Sequence, residues 1–383
     1  MTVMERPPFS GLETGDTYHL LALLPGMNPE HWQVVLDQLE DPTQILGMTP
    51  DSLRALGLPP ATRQALTAWQ AHGLEPTTRQ RLAHAQQQCG YLGIRVIHWC
   101  HPEYPEVLRH IHGPPPVLYC RGDIAALDRP CLAMVGSRHA SRDGHNHARR
   151  FAHALAAGGF SVVSGLALGI DGAAHEGALE SGGTTVGILA NGVDRPYPRR
   201  HEGLAGDLLQ AGGLLVSERP PGTPARAHLF PQRNRLISGL CRGVVVVEAG
   251  LRSGSLITAR LAMEQGREVF AIPGSIHQPS VRGCHRLIRE GAVLVETVED
   301  IVSELGVWES VSSQMEPEAE TAPAHLDEAS RRVLEAVTYE PVDSDSLCRA
   351  TGMAASDLLQ AMLLLEMEGL VESTSGGYRR RSG

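Results

Sequence analysis

Residues 230–238 read FPQRNRLIS, and they set an aromatic, two arginines and an asparagine at the head of an apolar helical run. A strand-like stretch follows at Gly243–Val247, and then the small-residue loop EAGLRSGS at 248–255. Arginine and phenylalanine beside a glycine- and serine-rich turn supply what is needed to hold phosphates and stack bases. The same side chains would equally serve as helix cover and hydrophobic staple. The choice depends on what surrounds them.

Outward from this stretch, apolar runs recur as Cys131–Val135, Phe160–Ser164, Thr185–Leu189, Gly213–Ser217, Glu268–Ile272 and Ala292–Val295. Helical patterns such as His145–Ala157 and Leu256–Gln265 fill the intervals. Continuous apolar strands alternating with amphipathic helices predict an α/β, Rossmann-like, doubly wound and mostly parallel sheet. Such sheets bind ligands beyond the carboxyl ends of their strands. Those ends carry Gly136-Ser137-Arg138, the loop Ser164-Gly165 through Asp171, Ala190-Asn191-Gly192, and Glu248-Ala249-Gly250. Small residues there bare backbone N–H groups beside helix N-termini, which favours an anion. Arg138 adds a guanidinium able to grip phosphate at two points. Asp171 reads as an N-cap, and His175 and His285 as packing histidines.

Residues 1–85 predict short helices joined by glycine turns, a small domain of the SAM or helix-hairpin-helix type. Residues 86–306 hold the Rossmann-like domain. Residues 307–329 lose periodicity and turn acidic, as a linker does. Residues 330–383 carry three helices and a short hairpin, a winged-helix pattern. Its expected recognition helix, Ser356 to Glu368, has Asp357, Glu366 and Glu368 but no arginine or lysine, so protein contact is favoured over major-groove reading.

A chain of 383 residues with net charge −10 does not advertise a nucleic-acid partner, but the charge is unevenly spread. All 33 basic residues are arginine. Between Arg129 and Glu290 there are 19 of them against 12 acids, and elsewhere 14 against 31. A basic middle between acidic flanks suits a centrally bound anion. Without lysine there is no P-loop, no GxGxxG follows the first strand of the alternation, and no GxSxG elbow occurs. No metal-ligand cluster and no cofactor is expected. Seven cysteines without a CxxC pair read as reduced thiols. No apolar run approaches a membrane span, and MTVMERPPFSG lacks the apolar core of a signal peptide, so the expected location is cytoplasmic.

The ordered set MVGSR (134–138), SGLALGIDGAAH (164–175), SERPPGT (217–223), FPQRNRLISGL (230–240), EAGLRSGSLITA (248–259), VFAIPG (269–274) and LIREGA (287–292) resembles the DNA-processing protein A family, DprA or Smf, over roughly residues 90–300. The resemblance implies a non-enzymatic single-stranded-DNA-binding protein. It would protect incoming DNA, dimerise through its Rossmann domain, and load the RecA recombinase during natural transformation. It also implies DNA contacts at Gly136, Ser137, Arg138, Ser164, Gly165, Arg199, Arg226, Phe230, Arg233, Asn234, Arg235, Ser253 and Gly254. His285 stands where the family usually has asparagine, and Leu168 where arginine is common. A second class is an enzyme, since a phosphoribohydrolase group on a related Rossmann fold carries PGGxGTxxE at the Ser253 loop. Thr258 stands here at the position of its catalytic glutamate.

Overall fold

The computed structural model describes residues 14–306, 326–338, 341–374 and 376–380. The chain divides into two compact units, residues 1–314 and 315–383. The first begins with five helices, α1 (Thr14–Leu23), α2 (Pro29–Gln38), α3 (Pro50–Ala55), α4 (Pro60–His72) and α5 (Pro76–Leu92). Proline at the first turn starts four of them, α2 to α5, where its missing N–H costs nothing. The sheet and its helices follow as β1 (Arg95–His98), α6 (Glu106–Arg109), β2 (Val117–Gly122), β3 (Cys131–Val135), α7 (Arg142–Ala157), β4 (Ser161–Ser164), α8 (Ile170–Glu180) and β5 (Thr184–Ile188). Then come α9 (Glu202–Gln210), β6 (Leu214–Ser217), α10 (Leu229–Gly239), β7 (Gly243–Val246), α11 (Ser255–Glu264), β8 (Glu268–Ala271), α12 (Arg282–Arg289), β9 (Val293–Leu294) and α13 (Val298–Glu304).

The nine strands lie in the order β1-β2-β6-β5-β4-β3-β7-β8-β9. Every pairing from β6 to β9 is parallel, and β2 is antiparallel to both its neighbours. From β3 the chain winds one way through β4, β5 and β6, then returns to β3's other side with β7 and winds the opposite way. The boundary between β3 and β7 is therefore the topological switch point, where open α/β sheets leave a crevice. Strand residues alternate between two cores: Leu214 and Val216 belong to the one that also holds residues of α10, α11 and α12, whereas Leu215 belongs to the one shared with α9 and the N-terminal helices. All five residues of β3 and all four of β7 are buried, as strands covered on both faces must be.

Two boundaries differ from the sequence reading. The helical front does not end at residue 85, because α5 runs through that point and stops at Gly93, whose φ of +63° supplies a left-handed cap. Its helices also lack a core of their own, since Tyr18, Leu21, Trp32, Leu53 and Trp69 share one with Val117, Tyr119 and Leu215 of the sheet. The final strand is a two-residue edge, Val293–Leu294, shorter than Ala292–Val295.

The linker read at 307–329 falls outside the described residues over 307–325. The second unit contains α14 (Glu328–Ala336), α15 (Ser344–Thr351), α16 (Ala355–Met367), β10 (Val371–Thr374) and β11 (Gly377–Arg380). Asp327 and Asp343 cap α14 and α15 through their carboxylates. Val333, Leu347, Leu358, Leu365 and Val371 close its core. Three helices followed by an antiparallel hairpin make this a winged-helix domain. On α16, Leu359, Leu363 and Met367 are 53%, 59% and 77% exposed, an apolar row at i, i+4 spacing.

Candidate nucleic-acid interface

A cleft of about 800 Å³ opens at the carboxyl ends of β3, β4 and β7, over the switch point. The β3–α7 loop contributes Gly136, Ser137 and Arg138, the β7–α11 loop Arg252, Ser253 and Gly254, and α10 contributes Phe230, Arg233 and Asn234. These loops touch because they lack bulk. A Cβ on Gly136 would lie 2.4 Å from Ile170 Cγ1, and the Ser137 N–H donates to the Glu248 carbonyl at 2.7 Å. Glu248, buried, accepts from the Ser141 N–H at 3.1 Å and its hydroxyl at 2.6 Å. That carboxylate fixes the start of α7 and with it the loop bearing Arg138.

Beneath the cleft lie a buried carboxyl and a buried guanidinium, those of Asp171 and Arg233. Asp171 accepts from the N–H groups of Gly165 (3.1 Å) and Ala167 (3.3 Å), and Gly169 rather than Asp171 caps α8. Asp171 thus shapes the loop before its helix. Burial pushes its carboxyl above the ordinary carboxylate range, opposed by the charge of Arg233 and by the two backbone donors. Burial likewise lowers Arg233 to about 10, opposed by Asp171, and the guanidinium remains a cation at neutral pH. Arg233 also donates to the Gly165 carbonyl at 3.3 Å, and only glycine leaves room for it there, since a Cβ would meet Nη1 at 1.9 Å. In the same loop Leu166 is buried at φ +58°, the one non-glycine residue at positive φ among the described residues. Such a conformation costs about 1–2 kcal/mol and is held only where its surroundings demand it. His201 Nδ1, 2.9 Å from the Leu166 carbonyl, is part of that hold.

Above this floor sits an aromatic and cationic rim. The Arg138 guanidinium carbon stands 5.4 Å from the centroid of the Phe230 ring, within cation–π reach. Tyr197, 51% exposed, places its ring 5.9 Å from Phe230. Arg252 is exposed on the opposite lip. Neither Tyr197 nor Arg252 was singled out from the sequence, although the YP pair at 197–198 and the GLRSG loop contain them.

The structure brings together Gly136, Ser137, Arg138, Phe230, Arg233, Asn234, Ser253 and Gly254, and sets the other sequence-read site residues apart. Arg235 is buried in an ion pair with Glu218. The Ser164 hydroxyl is buried and donates to the Met134 carbonyl at 2.6 Å, and Gly165 lies against the Arg233 head group. These three support the cleft from below. Arg199 is exposed outside the cleft lining, and Arg226 faces a different cleft. His175 is a packing residue, with Nδ1 2.7 Å from the Thr185 hydroxyl. His285 Nε2 lies 3.0 Å from the Gly274 carbonyl.

The family model for DNA recombination-mediator protein A matches residues 95–306, more than half the chain, and the model for the DprA winged helix domain matches residues 317–377. The chain belongs to the DNA recombination-mediator protein A family. Protein Smf of Escherichia coli (strain K12) is 43% identical over 283 residues, 72% of this chain and 75% of that protein. DNA processing protein DprA of Streptococcus pneumoniae is 45% identical over 201 residues, 52% of this chain and 71% of that one. The X-ray structure of DprA from Streptococcus pneumoniae superposes with a TM-score of 0.64 at 35% identity, covering 75% of this chain and 97% of that one. DNA processing protein A from Helicobacter pylori, whose structure is described for its single-stranded DNA binding mode, gives 0.51 at 28% identity over 57% and 97%. Within the DNA recombination-mediator protein A match, the cleft gathers segments 135–139, 230–237 and 250–258.

Proposed function

We propose that the chain binds single-stranded DNA in the switch-point cleft, protecting it and passing it to the RecA recombinase in transformation and homologous recombination. The observation that carries this reading is the rim. Arg138 and Arg252 stand beside Phe230 and Tyr197, over the Ser253-Gly254 turn at the start of α11. Cations hold phosphates through charge and paired donors, and ring faces stack bases that are free of a duplex. Asp171 is the one carboxylate lining the cleft among the described residues, and it is committed to backbone donors. Thr258 lines the cleft where a phosphoribohydrolase would need its glutamate. Both facts favour binding without catalysis.

Family membership supports the recombinase partner, a cytoplasmic site of action and a homodimer. The dimer surface we infer is the late-strand side, where Met263 and Leu294 are 39% and 46% exposed beside buried Ala262 and Val295. No helix among the described residues is long and apolar enough to cross a membrane. The function is tested by electrophoretic shifts of single- and double-stranded oligonucleotides at several salt concentrations. Single strands should bind more tightly, with an affinity that falls as salt rises. Equal affinity for the two forms contradicts the reading.

A further inference from the structure

A second cleft, of about 650 Å³, opens on the other side of the segment that walls the first. That segment divides its side chains between the two: Ala225, Ala227 and Phe230 line the first, and Arg226, His228 and Leu229 the second. The opposite wall comes from the helical front, through the Leu24-Pro25-Gly26 turn and through Arg81 and His84 of α5. The two walls are fitted together. Gly222 has φ +86°, and a Cβ there would lie 2.8 Å from Cδ2 of the His84 ring.

Arg81, His84, Arg226 and His228 are all exposed, and no aspartate or glutamate lines this cleft among the described residues. Arg219 does have a carboxylate partner, Glu218 at 3.0 Å. In a chain of net charge −10, a cleft lined by cations without acids is a local reversal of sign that draws in polyanions. It has no phenylalanine, tyrosine or tryptophan among its lining residues, so it offers mainly charge and N–H donors. That is the chemistry of a backbone site.

We propose that this second cleft holds the sugar–phosphate backbone of the same single strand after it leaves the first, with Arg81 and His84 of the helical front contacting phosphates. The inference rests on the DNA reading of the first cleft. It gives the helical front a direct share in DNA binding and makes affinity depend on strand length.

The test uses the full chain, the double variant Arg81→Ala/His84→Ala and the charge reversal Arg81→Glu. Fluorescence anisotropy is read with labelled oligothymidylates of about six and about twenty residues, spanning single-fold site sizes. Both positions are exposed, so melting temperatures should match the parent. With the twenty-mer the double variant should bind about three- to tenfold more weakly, and Arg81→Glu more weakly still. The slope of log affinity against log salt should fall by about 0.7 for each phosphate that is no longer neutralised. The six-mer should bind all three proteins within about twofold, an energy difference well under 1 kcal/mol. If the twenty-mer binds the variants as it binds the parent, the second cleft is not on the DNA path, whatever the first cleft does. If both lengths weaken equally, the residues act on the first cleft and the extension is refuted. Failure of the parent to bind either length would instead overturn the DNA reading itself.

Discussion

Arg235 separates what the FPQRNR segment shows in sequence from what it does in the fold. It reads as a DNA contact, yet its guanidinium is buried against Glu218, with side chains 7% and 9% exposed. Removing one member of a buried ion pair strands the other and costs about 3–5 kcal/mol. Arg219 still holds the other Glu218 oxygen at 3.0 Å, so the loss should fall at the lower end, about 3 kcal/mol. For a unit of this size that is roughly 5 °C in melting temperature. The expected result for Arg235→Ala is such a drop by calorimetry. Single-strand affinity, measured well below the new melting point, should stay within about twofold, or under 0.5 kcal/mol. Arg235→Met/Glu218→Gln, which removes both charges, should recover most of the loss. An Arg235→Ala protein that melts like the parent but binds DNA tenfold more weakly would refute the assignment of Arg235 to support.

Three further outcomes follow from the same geometry. Phe230→Ala should weaken single-strand binding by about 1–3 kcal/mol with little change in salt slope, because stacking carries no counterion release; a changed slope with unchanged affinity would count against a stacking ring. Burial lowers the buried His175 imidazole to about 3, with the charges of His201 and Arg233 adding to the effect. The unfolded chain therefore takes up a proton below about pH 6.5 that the native state refuses, and stability is lost as pH falls, by about 2 kcal/mol at pH 5. His175→Gln should remove that one-proton share of the acid slope in denaturant titrations, and an unaltered slope would show that the imidazole is protonated in the fold. Deleting the residues after Val307 should leave single-strand affinity within about twofold, since the winged-helix domain presents Asp357, Glu366 and Glu368 on and beside α16 and no cation there; a tenfold loss would make it part of the binding surface.

Much of the architecture was legible because its signals are local. Runs such as CLAMV and GVVVV name strands buried on both faces, and small residues after them mark the ligand end of the sheet. Arg138 and Phe230 were legible as well, because strand ends and helix starts can be read from pattern. What escaped depends on partners distant in sequence. Glu218 lies 17 residues before Arg235, and nothing local reveals that the pair is buried. Gly165 read as a bare phosphate loop because the Arg233 head group that fills its Cβ space arrives from 68 residues away. The helical front read as a separate domain because its glycine turns are visible and its packing on Tyr119 and Leu215 is not. Tyr197 and Arg252 belong to the rim only because the β5–α9 and β7–α11 loops converge on it.

Arg138→Ala, titrated with single-stranded oligonucleotide over a range of salt, tests the central claim most directly. Arg138 is exposed at the end of β3, at the switch point, with its guanidinium over Phe230. Without its charge-assisted hold on phosphate, binding should weaken by about 1.5–3 kcal/mol, roughly ten- to a hundredfold, whatever the base sequence. The slope of log affinity against log salt should fall by about 0.7. A variant that melts like the parent and binds single strands with the same affinity and the same slope would place the DNA site elsewhere and contradict the account.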